Sequence, residues 1–315
     1  SGIKTVFTIH NIQYQGKYGK ELLEDVLGIP NSELPLLEYG GYINFLKGAV
    51  ECADRVTTVS PSYANEILDP WFSYGLDSIL KERKWKLKGI LNGIDTVTYD
   101  PENDKDLFAN YSAGDLTGKA ENKSELQKRL KLNEDPQVPL VGMVTRMVSQ
   151  KGLDLVRGSL DGLLNEKDMQ FAILGSGDWE YESYFKDLQA RYPGRVCSCF
   201  GFVPELSHKI YAGADIFLMP SKSEPCGLSQ MTALRYGCIP VVRETGGLKD
   251  SIRDSGDGKG YGFTFKSYTA DDMAFAVKRA IKGFGDKAGW TILVKRAMAC
   301  DFSWGHSANE YIKPY

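Results

Sequence analysis

The chain has 315 residues, 42% hydrophobic and 25% charged, with a formal net charge of -3. That balance excludes a disordered or low-complexity chain, and the length leaves room for two compact domains. The slight acidity removes the electrostatic case for a nucleic acid partner. The apolar runs also argue against a membrane partner: Ile216–Met219 stops at Pro220, far short of a span.

Six cysteines (Cys52, Cys197, Cys199, Cys226, Cys238, Cys300) and three histidines (His10, His208, His306) are scattered along the chain. There is no Cys-x-x-Cys pair, and Cys197 and Cys199 would face the same side of a strand, which is poor disulfide geometry. Neither a zinc nor a disulfide framework is expected, and a reducing cytoplasm fits best. No signal peptide is visible, and an opening at Ser1 rather than Met suggests a processed or truncated product.

In chain order, residues 4–10 are β-branched and aromatic and read as a buried strand leading into a polar loop at 11–19. A helical pattern follows at 45–53, then a short strand at 55–59. Ser60-Pro61 reads as a helix start, an N-cap hydroxyl followed by proline at the first helical position. An apolar element at 88–91 ends at the turn signal Asn92-Gly93. Residues 100–136 are polar and acidic, with a charged helical stretch at 123–132, and read as the bridge between domains. Beyond it, strands are predicted at 140–145, 170–174, 196–200, 216–220, 239–242 and 262–265. Helices lie between them, as at 181–191 and 228–236. Strand–helix alternation of this kind specifies a parallel, doubly wound α/β sheet, which binds ligands beyond the carboxyl ends of its strands.

Three loops follow such strand ends. In 145–152, Arg146 and Lys151 are placed to clamp a diphosphate; taken alone, they read better as ordinary surface charges. In 221–228, Glu224 precedes Gly227 and a helix start suited to anions, although an acid there also serves simply to complement the helix dipole, and Cys226 is by default a small buried hydrophobe. In 243–248, Gly246 and Gly247 would let backbone amides approach a phosphate, or merely make a turn. Gly175-Ser176-Gly177 lacks the third glycine of a dinucleotide fingerprint, so an NAD site is discounted. His10, a lone histidine at a strand end, reads first as structural.

Five motifs, in order and at matching intervals, carry a resemblance. They are His10-Asn11-Ile12-Gln13-Tyr14-Gln15-Gly16, Leu91-Asn92-Gly93-Ile94-Asp95, Arg146 with Ser149-Gln150-Lys151-Gly152-Leu153-Asp154, Glu224-Pro225-Cys226-Gly227-Leu228, and Thr245-Gly246-Gly247-Leu248. From Lys4 to Tyr315 the chain closely resembles the bacterial glycogen synthase and plant starch synthase family. The resemblance implies two Rossmann-like domains facing across a cleft, the GT-B arrangement. It also implies transfer of glucose from ADP-glucose to the non-reducing end of an α-1,4-glucan, with retention and with no metal or other cofactor. Residues 1–134 would form a partial amino-terminal domain with its linker, 135–300 the nucleotide-sugar domain, and 301–315 a closing helix returning to the first domain. Family members carry a domain's worth of sequence before residues 4–10, so the first domain is expected to be incomplete.

By the same resemblance Arg146 and Lys151 hold the diphosphate and stabilise departing ADP, and Glu224 sits beside the donor glucose with Cys226 and Gly227 in its pocket. Leu228, Ser229, Gly246 and Gly247, in their loop with Thr245, supply backbone donors. Phe202 stacks on adenine, and His10 and Asn92 contact the glucosyl group from the other domain. Lys222-Ser223 departs from the arginine and aromatic usual there. Lys151, being outside the core, is expected to matter for rate and little for stability. Two other readings are a different retaining transferase of this architecture, of the sucrose-phosphate or trehalose-phosphate type, and a non-catalytic nucleotide- or glucan-binding remnant. The Glu224–Leu228 loop argues against the first.

Overall fold

A computed structural model describes residues 2–313 and divides the chain into two compact units, Ser1–Asn92 and Gly93–Tyr315. Ser1, Pro314 and Tyr315, including the end of the expected closing segment, lie outside the described residues.

The first unit contains β1 (Val6–Ile9), β2 (Lys17–Tyr18), β3 (Glu38–Tyr39), β4 (Tyr42–Asn44), β5 (Arg55–Thr58) and β6 (Leu87–Gly89). Its parallel sheet has the order β1-β5-β6, with Val6 opposite Arg55 and Val56 opposite Leu87. The strand expected to be buried is an outer strand here: Val6 is 39% exposed and only Ile9 lies inside. The antiparallel sheet β2-β4-β3 was not foreseen, because strands of two or three residues have no periodicity to read. The Ser60-Pro61 start is confirmed: the Ser60 hydroxyl accepts from the Tyr63 amide at 3.2 Å, and Pro61 is the first helical residue.

The second unit carries β7 (Leu140–Val144), β8 (Gln170–Gly175), β9 (Val196–Phe200), β10 (Ile216–Met219), β11 (Ile239–Arg243) and β12 (Phe263–Phe265). All pair in parallel in the order β12-β11-β10-β7-β8-β9. The chain winds outward from β7 in both directions, so the switch point lies between β7 and β10, where a doubly wound sheet opens a crevice. Both faces are covered by helices, and β-strand side chains such as Phe171, Ile173, Phe217 and Val241 are completely or almost completely buried. Each such side chain contributes about 1.5–3 kcal/mol of burial.

The boundary differs from the expected one at 134. Residues 93–134 belong to the second unit, because they are stitched into it. Tyr111, Leu126, Leu130 and Leu132 join its core. The Tyr111 hydroxyl donates to Tyr236 O at 2.8 Å, and Lys119 Nζ donates to Ala212 O and Tyr236 O at 2.9 and 3.0 Å. Polar composition suggested a linker, but here it supplies buried hydrogen-bond donors that satisfy helix-end carbonyls. The helix Trp304–Ile312 is entered through a bridge to the start of this same unit, Ile94 N to Phe302 O at 2.8 Å.

Buried Asp104 accepts from His208 Nδ1 at 2.6 Å and from the Tyr236 hydroxyl at 2.5 Å, and Tyr99 stacks on the imidazole. Asp104→Ala would leave two buried donors without an acceptor, so a loss of about 3 kcal/mol is expected in urea unfolding. A loss below about 1 kcal/mol would show that water takes over the role.

Candidate active site at the switch point

The loops after β7 and β10 lie against each other. The 3-10 turn Ser149–Lys151 ends at Gly152 with φ +74°, and a Cβ there would sit 2.1 Å from Pro220 O. Glycine is therefore required both for the left-handed conformation and for the close approach. The Lys222 amide donates to Gln150 O at 2.9 Å, and Gln150 Nε2 donates to Ser223 O at 3.3 Å. This latch brings Lys151 Nζ to 2.6 Å from Glu224 Oε2, which also accepts from the Ser221 hydroxyl at 3.1 Å. The two charged side chains are 18% and 9% exposed. Lys151 is therefore no free surface charge, and the residues read separately as clamp and acid are each other's partners. The pairing spans 73 positions, which no local pattern reveals.

Arg146 differs. It is exposed, and no ion-pair partner is found for it among the described residues. With Phe202 it lines a cavity of about 240 Å³ at the ends of β7, β8 and β9, walled also by Thr145, Gly175 and Ser176. Phe202 is 92% exposed.

The third loop closes against the second. Gly246, with φ +43°, and Gly247 open the helix Gly246–Ser251; Cβ atoms there would each lie 2.0 Å from a carbonyl, Glu224 O and Cys226 O respectively. The glycines thus allow backbone to meet backbone. The Gly247 amide donates to Glu224 O at 3.1 Å, so it is committed within the protein, contrary to the expectation that it is open to a phosphate. Thr245 and Cys226 are buried, Cys226 as expected of a small hydrophobe. Gly227 has φ +69°, and half-exposed Leu228 is the N-cap of the helix Ser229–Arg235. The first-turn amides of that helix, starting with Ser229, have no intrahelical acceptor.

Two residues escaped the sequence reading. Gln230 is fully buried; its Nε2, with two hydrogens to share, lies within hydrogen-bond distance of Cys226 O, Gly227 O and Ser251 Oγ at 3.1, 2.9 and 2.9 Å, while its Oε1 has no partner among the described residues. Arg243 Nε donates to Ser221 O at 2.9 Å and so fixes the Glu224 loop from β11. In sequence both resemble ordinary polar positions, one inside a helix and one at a strand end. In the first unit, His10 follows β1 and is exposed, and Asn92 follows β6 and is half-buried. Their loops are anchored locally, for example by Thr58 Oγ1 donating to Ile9 O at 2.8 Å and the Ile90 amide donating to Thr58 O at 2.8 Å.

Residues 123–287 match the family described as glycosyl transferases group 1, a span of more than half the chain that takes in all three switch-point loops. The chain belongs to that family. Residues 1–82 match the starch synthase catalytic domain. Relatives of this glycosyltransferase include the glycogen synthases of Bacillus subtilis strain 168 and Clostridioides difficile strain 630, each 46% identical over 98% and 99% of the chain. The chain spans 65% and 66% of their lengths. Among solved structures, the catalytic domain of starch synthase IV from Arabidopsis thaliana, bound to ADP and acarbose, matches with TM-score 0.92 and 38% identity over 98% of this chain and 66% of that one. Anabaena HepE, in complex with UDP and glucose, matches at TM-score 0.62 and 16% identity over 98% of this chain and 70% of its own, and shares the fold. The glycogen and starch synthase resemblance read from the five motifs therefore holds, as does the GT-B class with its Rossmann-like α/β units. No helix among the described residues is long and apolar enough to cross a membrane.

Proposed function

We propose that this glycosyltransferase acts as a glycogen or starch synthase, transferring glucose from ADP-glucose to the non-reducing end of an α-1,4-glucan with retention. The observation that carries the reading is the strand-end arrangement itself. The guanidinium of Arg146, with no ion-pair partner among the described residues, shares a cavity with an exposed aromatic ring, and the Lys151–Glu224 ion pair lies in the adjoining switch-point loops. The diphosphate takes Arg146 together with Lys151; an ammonium has three donors, and Glu224 occupies one of them. These cations serve in place of a divalent ion. Glu224 meets the donor glucose, and the adenine stacks on Phe202. His10 and Asn92 are assigned to the glucosyl group by family resemblance.

Attack from the face the leaving group occupies suits this set. Charge builds on the diphosphate as the glycosidic bond breaks, the leaving phosphate takes the acceptor proton, and the protein contributes positioning and preorganised charge. The six cysteines, none in a disulfide, support a cytoplasmic location. The test is glucosyl transfer to glycogen from ADP-glucose and from UDP-glucose by a chain lengthened to the full span of its relatives. Transfer from ADP-glucose is expected to dominate, and its absence would overturn the reading.

Phe202→Ala should weaken ADP binding by about 1–3 kcal/mol, the usual worth of a base–aromatic stack. A ring so exposed contributes little to the fold, so the melting temperature should stay close to the parent's. Equal ADP affinity of mutant and parent in calorimetry would remove Phe202 from the site.

A further inference from the structure

Strand β9 ends the sheet and, among the described residues, pairs only with β8. Along it Val196, Cys197, Ser198, Cys199 and Phe200 alternate in facing, so the two thiols stand on one side and Ser198 on the other. Ser198 confirms the alternation: its amide and hydroxyl both bond Gln189 Oε1, at 2.7 and 3.0 Å, on the helix Trp179–Arg191. The sulfurs lie 3.8 Å apart, Cys197 buried and Cys199 half-buried.

That separation is nearly twice a disulfide bond of about 2.05 Å, and a flat strand holds alternate residues too far apart to close one without buckling. It does match the edge of a tetrahedron. Two thiolates bound to one zinc ion at about 2.3 Å stand about 3.8 Å apart. We propose that Cys197 and Cys199 form a two-thiolate site for a single thiophilic cation of the zinc class, with the other coordination positions open to solvent or to a small thiol.

Both thiols must give up their protons as the ion binds, so affinity should rise with pH. The two sulfurs are already in contact, and the Arg129 guanidinium places positive charge near Cys199. Arg129 does not leave a bare positive charge beside the ion, because both its Nη atoms pair with Glu205, at 2.9 and 3.3 Å. A dithiolate with a divalent ion is neutral overall. Cys199 lies three residues before Phe202, so an ion here would brace the strand end that presents the ring. The site is independent of the proposed transferase reading.

The test uses the fully reduced 315-residue chain, with zinc(II) in competition with a chromophoric chelator and cadmium(II) for its sulfur-to-metal charge-transfer absorption. One ion per chain and a charge-transfer band are expected. Cys197→Ser and Cys199→Ser should each weaken binding at least about tenfold and abolish the band, whereas Cys52→Ser should leave both intact. Circular dichroism of each variant establishes that the strand still forms. Binding of equal strength in Cys197→Ser/Cys199→Ser, or no band in the parent chain, would overturn the assignment.

Discussion

Replacing Lys151 by alanine is expected to lower kcat by about 10²–10³, measured at saturating ADP-glucose and glycogen in a chain lengthened to the span of its relatives. That is the usual cost of removing one preorganised donor where charge develops. The structure adds a second consequence that runs against treating Lys151 as incidental to stability. Its ammonium is 2.6 Å from the buried Glu224 carboxylate, which among the described residues keeps only the Ser221 hydroxyl once Lys151 is gone. Breaking a buried pair from one side costs about 3–5 kcal/mol when fully enclosed. With side chains 18% and 9% exposed, about 2 kcal/mol is the appropriate expectation. The double variant Lys151→Ala/Glu224→Gln should recover much of the stability and none of the rate. A double variant as slow as Lys151→Ala but no more stable would mean that the pair is not what holds the loop. Values of kcat within about threefold of the parent, under 1 kcal/mol of barrier, would defeat the catalytic role.

The second large effect is expected at Gly247. A methyl group there would lie 2.0 Å from Cys226 O, and the displaced backbone would break the hydrogen bond from the Gly247 amide to Glu224 O. Neither contact can relax through a flexible side chain. Gly247→Ala should therefore destabilise the second unit by about 2 kcal/mol or more and abolish transfer, because Glu224 is carried on the loop that must move. Gly258→Ala is the comparison. Unlike Gly247 it has a positive φ, +72°, but it has nothing within 4 Å of its added methyl, so it should cost only about 1 kcal/mol of backbone strain and leave transfer unchanged. Equal effects at the two positions would show that the contact of the loops does not govern the site.

Much of the second unit was legible in the sequence, because a parallel sheet buried on both faces writes its strands as short apolar runs. All six predicted strands, from 140–145 to 262–265, agree with β7 to β12 within a residue at either end. The candidate loops were found from the same signal, since each follows a strand end. The ion pair between Lys151 and Glu224 was not legible: it depends on β10 lying next to β7, and strand order has no local signature. The neighbours of Gly246 and Gly247 were not legible for the same reason. A glycine pair says that something approaches closely, but only the fold reveals that the neighbour is the Glu224 loop. The boundary at Asn92 was missed because a polar composition at 100–136 resembles a linker, although its lysines and tyrosine are used inside.

The measurement that bears most directly on the account is calorimetric titration of ADP and UDP into the 315-residue chain and its Arg146→Ala variant. Arg146 has no ion-pair partner among the described residues and lines the cavity with Phe202, so its removal should leave the fold untouched. The account predicts that ADP binds more tightly than UDP and that Arg146→Ala weakens ADP at least about tenfold, or about 1.4 kcal/mol, with an unchanged melting temperature. Equal ADP affinity in the variant, or tighter binding of UDP than of ADP by the parent chain, would contradict it.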